Sequence, residues 1–160
     1  MLALFRSIVY AALFISVVLV FIPEQILVAT GITRPAEIGP LHSVGLVLVV
    51  LGGALAIWCI LTFALVGKGT PAPFDPPRKL VAAGPYRWVR NPMYIGAGAA
   101  LSGAALFYHS AALMAFAAAF FVITHLFVVF YEEPTLERTF GARYADYRNA
   151  VPRWVPTWRS

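Results

Sequence analysis

The chain has one cysteine, Cys59, three histidines and little charge: only 12% of its 160 residues are Asp, Glu, Lys or Arg. A lone cysteine excludes an internal disulfide framework and a cysteine-based metal centre. No histidine pair has metal-ligand spacing, so no metal is expected. Nucleophile-elbow, phosphate-loop and dinucleotide signatures are also missing. Apolar residues make up 61% of the chain, and its mean hydropathy is +0.79. A soluble domain has about 45–50% apolar and about 25% charged residues. One small core cannot bury that surplus, so lipid is the expected solvent.

Four apolar stretches stand out, at 7–22, 41–66, 93–108 and 111–131. Crossing the hydrocarbon takes about 20 apolar residues in a helix. Residues 93–131 as one helix would run about 58 Å, against a bilayer core of about 30 Å. The chain is therefore expected to turn back at Tyr108-His109-Ser110. Residues 93–108 are short for a span, which fits a tilted helix or one that starts in the interface. The first stretch reads as an anchor, because Phe21-Ile22-Pro23 lacks the small residues of a signal-peptide cleavage site. The expected fold is all-α: one membrane domain over 1–160 with about four transmembrane helices. The first two lie within 1–67; a loop, a helical hairpin and a tail fill 68–160.

With four spans, the N-terminus, the 67–92 loop and the tail share one side. Eleven of the twelve basic residues then lie on that side and only Arg34 on the other. The positive-inside rule makes the populated side cytoplasmic, so both termini are expected in the cytoplasm of an inner (plasma) membrane protein. The same placement accounts for the pI near 9.7 without a nucleic-acid partner. Pro71, Pro73, Pro76 and Pro77 make the loop extended at first. In the tail, Leu136, Phe140, Tyr144, Tyr147 and Val151 form one stripe, as in an amphipathic interfacial helix. Pro152 and Pro156 would end it.

Candidate chemistry gathers at "GPYRWVRNPMYIGAG", residues 84–98, and at Glu132-Glu133. Asn91 and Pro92 suit the N-cap and first turn of a helix, and such a start is also an anion site. Gly96 and Gly98 suit close helix packing or the approach of a ligand to the backbone. Arg87 and Arg90 satisfy the topology rule and equally suit a ligand; Tyr86, Trp88 and Tyr94 suit an aromatic belt or stacking on a ring or cation. Glu132 and Glu133 are read as closing the last span just before Pro134, where the helix dipole disfavours carboxylates. They are either a solvated pair matched by arginines or acceptors for ligand hydroxyls and ammonium groups. His125, seven residues earlier, shares roughly one helix face with Glu132.

These two motifs, separated by one apolar hairpin and followed by "PTLERTFGARYADYRNAVPRWVP", resemble the isoprenylcysteine carboxyl methyltransferases and related phospholipid N-methyltransferases. The resemblance covers roughly residues 78–156. It implies an integral membrane enzyme that uses S-adenosylmethionine and methylates a lipid-like or small amphiphilic acceptor, with membrane lipids around it. The implied cofactor set is Pro92, Tyr94, Gly96 and Gly98 with Glu132 and Glu133, joined by Tyr86, Arg90 and Asn91 from the same threshold. The tail with Arg143, Tyr144 and Tyr147 would close the site. Glu133, Arg143 and Tyr147 are the catalytic candidates, with Glu132 or Glu133 taking a proton from an amine acceptor and Arg143 binding an anionic one. Where the family usually has Arg-His-Pro-x-Tyr, this chain has Arg90-Asn91-Pro92-Met93-Tyr94, and asparagine cannot titrate. The alternatives are an NADPH-dependent membrane reductase of the sterol reductase type, which shares related tail motifs, and a non-enzymatic lipid-binding membrane protein.

Overall fold

A computed structural model describes residues 9, 12–35, 37–67 and 79–156. Pro71, Pro73, Pro76 and Pro77 and the start of the first span lie outside the described residues. The described residues are helical, with no strand among them. Among the described residues three helices are long and apolar enough to cross a membrane: α1 (Ala12–Thr30), α2 (Pro40–Gly67) and α4 (Ala111–Phe140). Between them α3 (Pro92–Phe107) is apolar but has only 16 residues, about 24 Å of helix. A short helix, α5 (Ala142–Ala150), follows α4.

α3 is the central element. It lies along α2 on one side and against α4 on the other. Ala97 and Leu101 of α3 meet Ala117 and Phe120 of α4 in a buried cluster, which Phe14, Val18 and Leu19 of α1 cover. The α2–α3 contact depends on missing side chains. A Cβ on Gly52 would sit 2.5 Å from the Gly96 carbonyl oxygen, and one on Gly45 would sit 2.6 Å from that of Gly103. The hairpin turns where expected, with His109 in the left-handed region at φ 50. The Ser110 hydroxyl then caps α4 by accepting from the Leu113 amide at 3.2 Å.

Two prolines lie inside helices, and at Pro134 this differs from the sequence reading. The first helix does not end at Pro23 but runs on to Thr30, and the last span runs through Pro134 to Phe140. A prolyl ring removes one backbone hydrogen bond and collides with the preceding turn. In both cases a wider π-wound stretch precedes it, at Ile15–Phe21 and at Val128–Glu132. The wider turn accommodates the mismatch, so Glu132 and Glu133 lie within a continuous helix rather than at its C-terminus. The dipole penalty expected for a carboxylate pair at a helix end therefore does not apply. The tail also differs: Gly141, at φ 55 and ψ −127, breaks the single amphipathic helix expected there into the end of α4 and α5.

Candidate functional site

The polar residues of the chain converge at one end of the bundle, where α3 begins and α4 carries its glutamates. A 3-10 turn, Gly84–Arg87, brings Tyr86 inward, where it is buried in one cluster with Cys59 and Val81. Arg90 and Asn91 follow, and Pro92 opens α3. Asn91 occupies the N-cap position, yet its side chain makes no cap bond. Its amide donates instead to the Arg153 carbonyl at 3.2 Å. That donation from Nδ2 to the tail fixes the orientation of the amide.

The adjacent glutamates have different partners. Glu133 is buried and receives Arg153 through both oxygens, at 2.7 and 2.8 Å. Arg90 Nη1 lies 3.0 Å from Glu133 Oε1 and donates to the Tyr144 hydroxyl at 3.3 Å. Glu133 is thus matched by two guanidiniums. Glu132 instead accepts from the Tyr94 hydroxyl at 3.1 Å, with no arginine in that contact. The π-wound turn ends on Glu132 itself, and the two carboxylates diverge there, Glu133 toward the tail and Glu132 toward α3.

Several contacts fasten the tail to this end of the bundle, among them the Trp154 indole donating to His125 Nδ1 at 3.1 Å. The Arg90 amide donates to the Pro152 carbonyl at 2.9 Å, and the Tyr147 hydroxyl donates to the Tyr86 carbonyl at 2.7 Å. The Asn91 amide and the Arg153 guanidinium supply two more. Burial pushes the Tyr147 phenol well above its ordinary range, so near neutral pH this group is a hydrogen-bond donor and not a base. Burial does the same to Tyr86. The hydrogen bond to Glu133 raises Arg153, so its charge is fixed.

Two small spaces open within the cluster. One is bordered by Phe63, Tyr86, Met93 and Tyr94 with Arg90, Asn91 and Glu132. The other has Glu133, Leu136, Tyr144 and Tyr147 around the same three residues. Each is about 20 Å³, enough for about one water. Arg90 Nε is buried there without a hydrogen-bond partner, and an orphaned donor of this kind normally has an acceptor.

Seven expected residues therefore meet around these spaces: Tyr86, Arg90, Asn91, Tyr94, Glu132, Glu133 and Tyr147. Pro92 is buried at the start of α3. Gly96 and Gly98 face neighbouring helices. A Cβ on Gly96 would lie 2.7 Å from the Gly52 carbonyl oxygen, and one on Gly98 would overlap the Phe121 ring. Packing accounts for both glycines. Arg143 is exposed on α5 and lines neither space. Arg153 and Trp154 were not singled out from the sequence. Arg153 had been assigned to topology, and the available signal was an arginine and a tryptophan between Pro152 and Pro156 in an otherwise polar tail.

Among the described residues no group of three His, Cys, Asp or Glu side chains could hold a metal ion. Nothing among curated proteins or solved structures matches the chain. A phospholipid methyltransferase family model matches residues 41–143, from the first turn of α2 to the start of α5. That is well over half of the chain and includes both Asn91 and the glutamate pair, so the chain belongs to the phospholipid methyltransferase family of membrane proteins.

Proposed function

We propose that the protein transfers a methyl group from S-adenosylmethionine to a lipid-like acceptor at the cytoplasmic face of an inner (plasma) membrane. The observation that carries this reading is a buried Arg90 Nε–H without an acceptor, beside a carboxylate, Glu132, that lines the same two spaces and accepts from the Tyr94 hydroxyl. The donor set suits S-adenosylmethionine. Arg90 would take its carboxylate, Glu132 its ammonium or ribose hydroxyls, and Phe63, Tyr86 and Met93 its less polar parts. When bound, the cofactor supplies an activated methyl on a sulfonium.

The residues of the chain position and exclude. Glu133, fixed between Arg90 and Arg153, holds Arg90 in place and ties the tail over the site. Glu132 is the carboxylate left to meet the ligand. An amine acceptor loses a proton on methylation, and Glu132 would accept it; a carboxylate acceptor needs no base. Arg143 would guide an anionic acceptor from the rim. Ligand pockets usually measure about 300–1,000 Å³, so the side chains around the two 20 Å³ spaces must separate on binding. Family membership favours a phospholipid as acceptor, and the concentration of basic residues on one side favours cytoplasmic termini.

Thermal unfolding of the detergent-purified protein with S-adenosylmethionine, S-adenosylhomocysteine and NADPH tests this reading. The two adenosyl ligands should stabilise it, by about 2.7 kcal/mol at a hundredfold excess over Kd, and Glu132→Gln should remove the effect. Stabilisation by NADPH alone would replace the transferase with a reductase. No response to any of the three would leave a lipid-binding protein without this chemistry.

A further inference from the structure

The Arg90 side chain is 9% exposed, and the two spaces beside it hold about 20 Å³ each. Some element bordering them must move before anything larger than water reaches that guanidinium. The helices are poor candidates. α3 meets α2 backbone to backbone at Gly52 and Gly96, and it meets α4 through the buried cluster of Ala97, Leu101, Ala117 and Phe120. Close packing of this kind resists local separation.

The tail is attached in another way. α5 belongs to neither buried apolar cluster and packs chiefly on the end of α4 that precedes it. Tyr144 is its one buried residue. Polar contacts hold the rest: Tyr147 to the Tyr86 carbonyl, the Arg90 amide to the Pro152 carbonyl, and Arg153 to Glu133. Water can replace such bonds at small net cost, and segments held mainly by them open before the rest of a structure. The Arg153 side chain is 33% exposed, so water already reaches the ion pair. Gly141, between α4 and α5, supplies the pivot. It has φ 55 and ψ −127, a conformation that residues with a side chain rarely adopt. A Cβ there would meet nothing within 4 Å, so the backbone angle and not packing requires the glycine. Hinges are such positions between elements. Arg153 also lies beyond residues 41–143, which match the family model.

We propose that residues 142–154 form a lid hinged at Gly141, and that Arg153 latches it shut by occupying Glu133, so that the closed chain keeps ligands from Arg90. Release of the pair lets Tyr144, Tyr147 and the strap beyond them swing away from both spaces together. That the ligand admitted is a methyl donor rests on the function proposed above; the lid itself does not.

Arginine modification by a small dicarbonyl reagent reads the lid without any ligand, on the full chain in detergent, with modified sites assigned by mass spectrometry. In the parent, Arg90 should react at a small fraction of the rate of the exposed Arg34 and Arg143. Gly141→Ala strains the closed backbone and should speed modification of Arg90 at least about fivefold, with Arg34 and Arg143 unchanged. Arg153→Ala should speed it about tenfold. Arg153→Lys, which keeps a cation on Glu133, should do so less. If Arg153→Ala fails to fold, Gly141→Ala still carries the test, because its methyl meets no neighbour. Modification of Arg90 as fast as that of Arg143 in the parent, or at an unchanged rate in Gly141→Ala, would overturn the lid. S-adenosylhomocysteine should also associate several-fold faster with Gly141→Ala than with the parent. Equal or slower association despite faster modification would remove the gating role. Absence of binding to either protein would count against the transferase reading, while the modification rates would decide the lid on their own.

Discussion

α3 is held by two interfaces of opposite character. Against α2 its backbone meets backbone: Gly96 faces Gly52 and Gly103 faces Gly45, with no room for a Cβ on any of the four. At its N-terminal end it is held by charge and hydrogen bonds, through Arg90, Glu133, Arg153 and the amide of Asn91. The first interface works by close contact, which holds helices together where lipid offers no hydrophobic drive between them. The second confines ionised groups to the membrane end, where desolvation costs least. Buried ion pairs seldom add net stability over apolar packing. A bundle that already has the glycine seam gains little net stability from the polar clasp over apolar packing, which leaves those residues free for the ligand role proposed above.

Removing one partner from the clasp should have the largest effect. Glu133→Gln leaves Arg90 and Arg153 facing a neutral amide, and breaking a buried pair on one side typically costs about 3–5 kcal/mol. Because the Arg153 side chain is 33% exposed, the lower end of that range applies. Thermal unfolding should drop accordingly, and the tail should become sensitive to protease beyond Ala150. Unchanged stability would show the clasp to be slack. Loss of S-adenosylmethionine binding from an intact fold is expected instead of Glu132→Gln, on the function proposed above.

The seam should respond next. Gly103→Ala places a methyl 2.6 Å from the Gly45 carbonyl oxygen and 2.7 Å from the Val49 amide nitrogen, and such overpacking costs about 1–3 kcal/mol. The helices must move apart, but the clasp is untouched. The fraction that remains folded should bind S-adenosylmethionine with its original affinity. A large loss of affinity would mean that the two interfaces are coupled.

Asn91 sharpens the contrast at smaller scale. Asn91→Ala removes one hydrogen bond to the Arg153 carbonyl, about 1 kcal/mol. Asn91→Asp should cost at least as much, because a carboxylate cannot donate to that carbonyl. Equal stability of Asn91→Asp and the parent, by thermal unfolding, would refute the role of Asn91 as a donor to the tail.

Much of this was legible in the sequence, for identifiable reasons. Hydropathy showed the membrane class, and an apolar run too long for one span located the turn at His109. Pro92 marked the start of α3. The glycines were flagged with both uses open, and only the opposing backbone of α2 shows what occupies their missing side-chain volume. Pro134 misled because a proline reads as a helix end, whereas a preceding π-wound stretch lets the helix continue. That single feature moved Glu132 and Glu133 from a terminus into the middle of α4. Arg153 and Trp154 were hidden because arginines near a membrane already satisfy the topology rule, and because their partners lie 20 and 29 residues away in sequence.

Arg143 should show the smallest effect and the most selective one. It shares α5 with Tyr144 and Tyr147, but they turn inward to Arg90 and to the Tyr86 carbonyl, while Arg143 is exposed. Exposed positions outside such networks usually change stability by less than about 0.5 kcal/mol. Arg143→Ala should therefore leave both unfolding and S-adenosylmethionine affinity unchanged. If the acceptor carries a negative charge, the guanidinium at the rim attracts it through solvent, and that attraction weakens with salt. The variant should then raise KM for the acceptor at low ionic strength, converge with the parent at high ionic strength, and keep kcat. A fall in kcat at saturating acceptor would instead place Arg143 at the reacting atoms and extend the clasp to the outer face of α5.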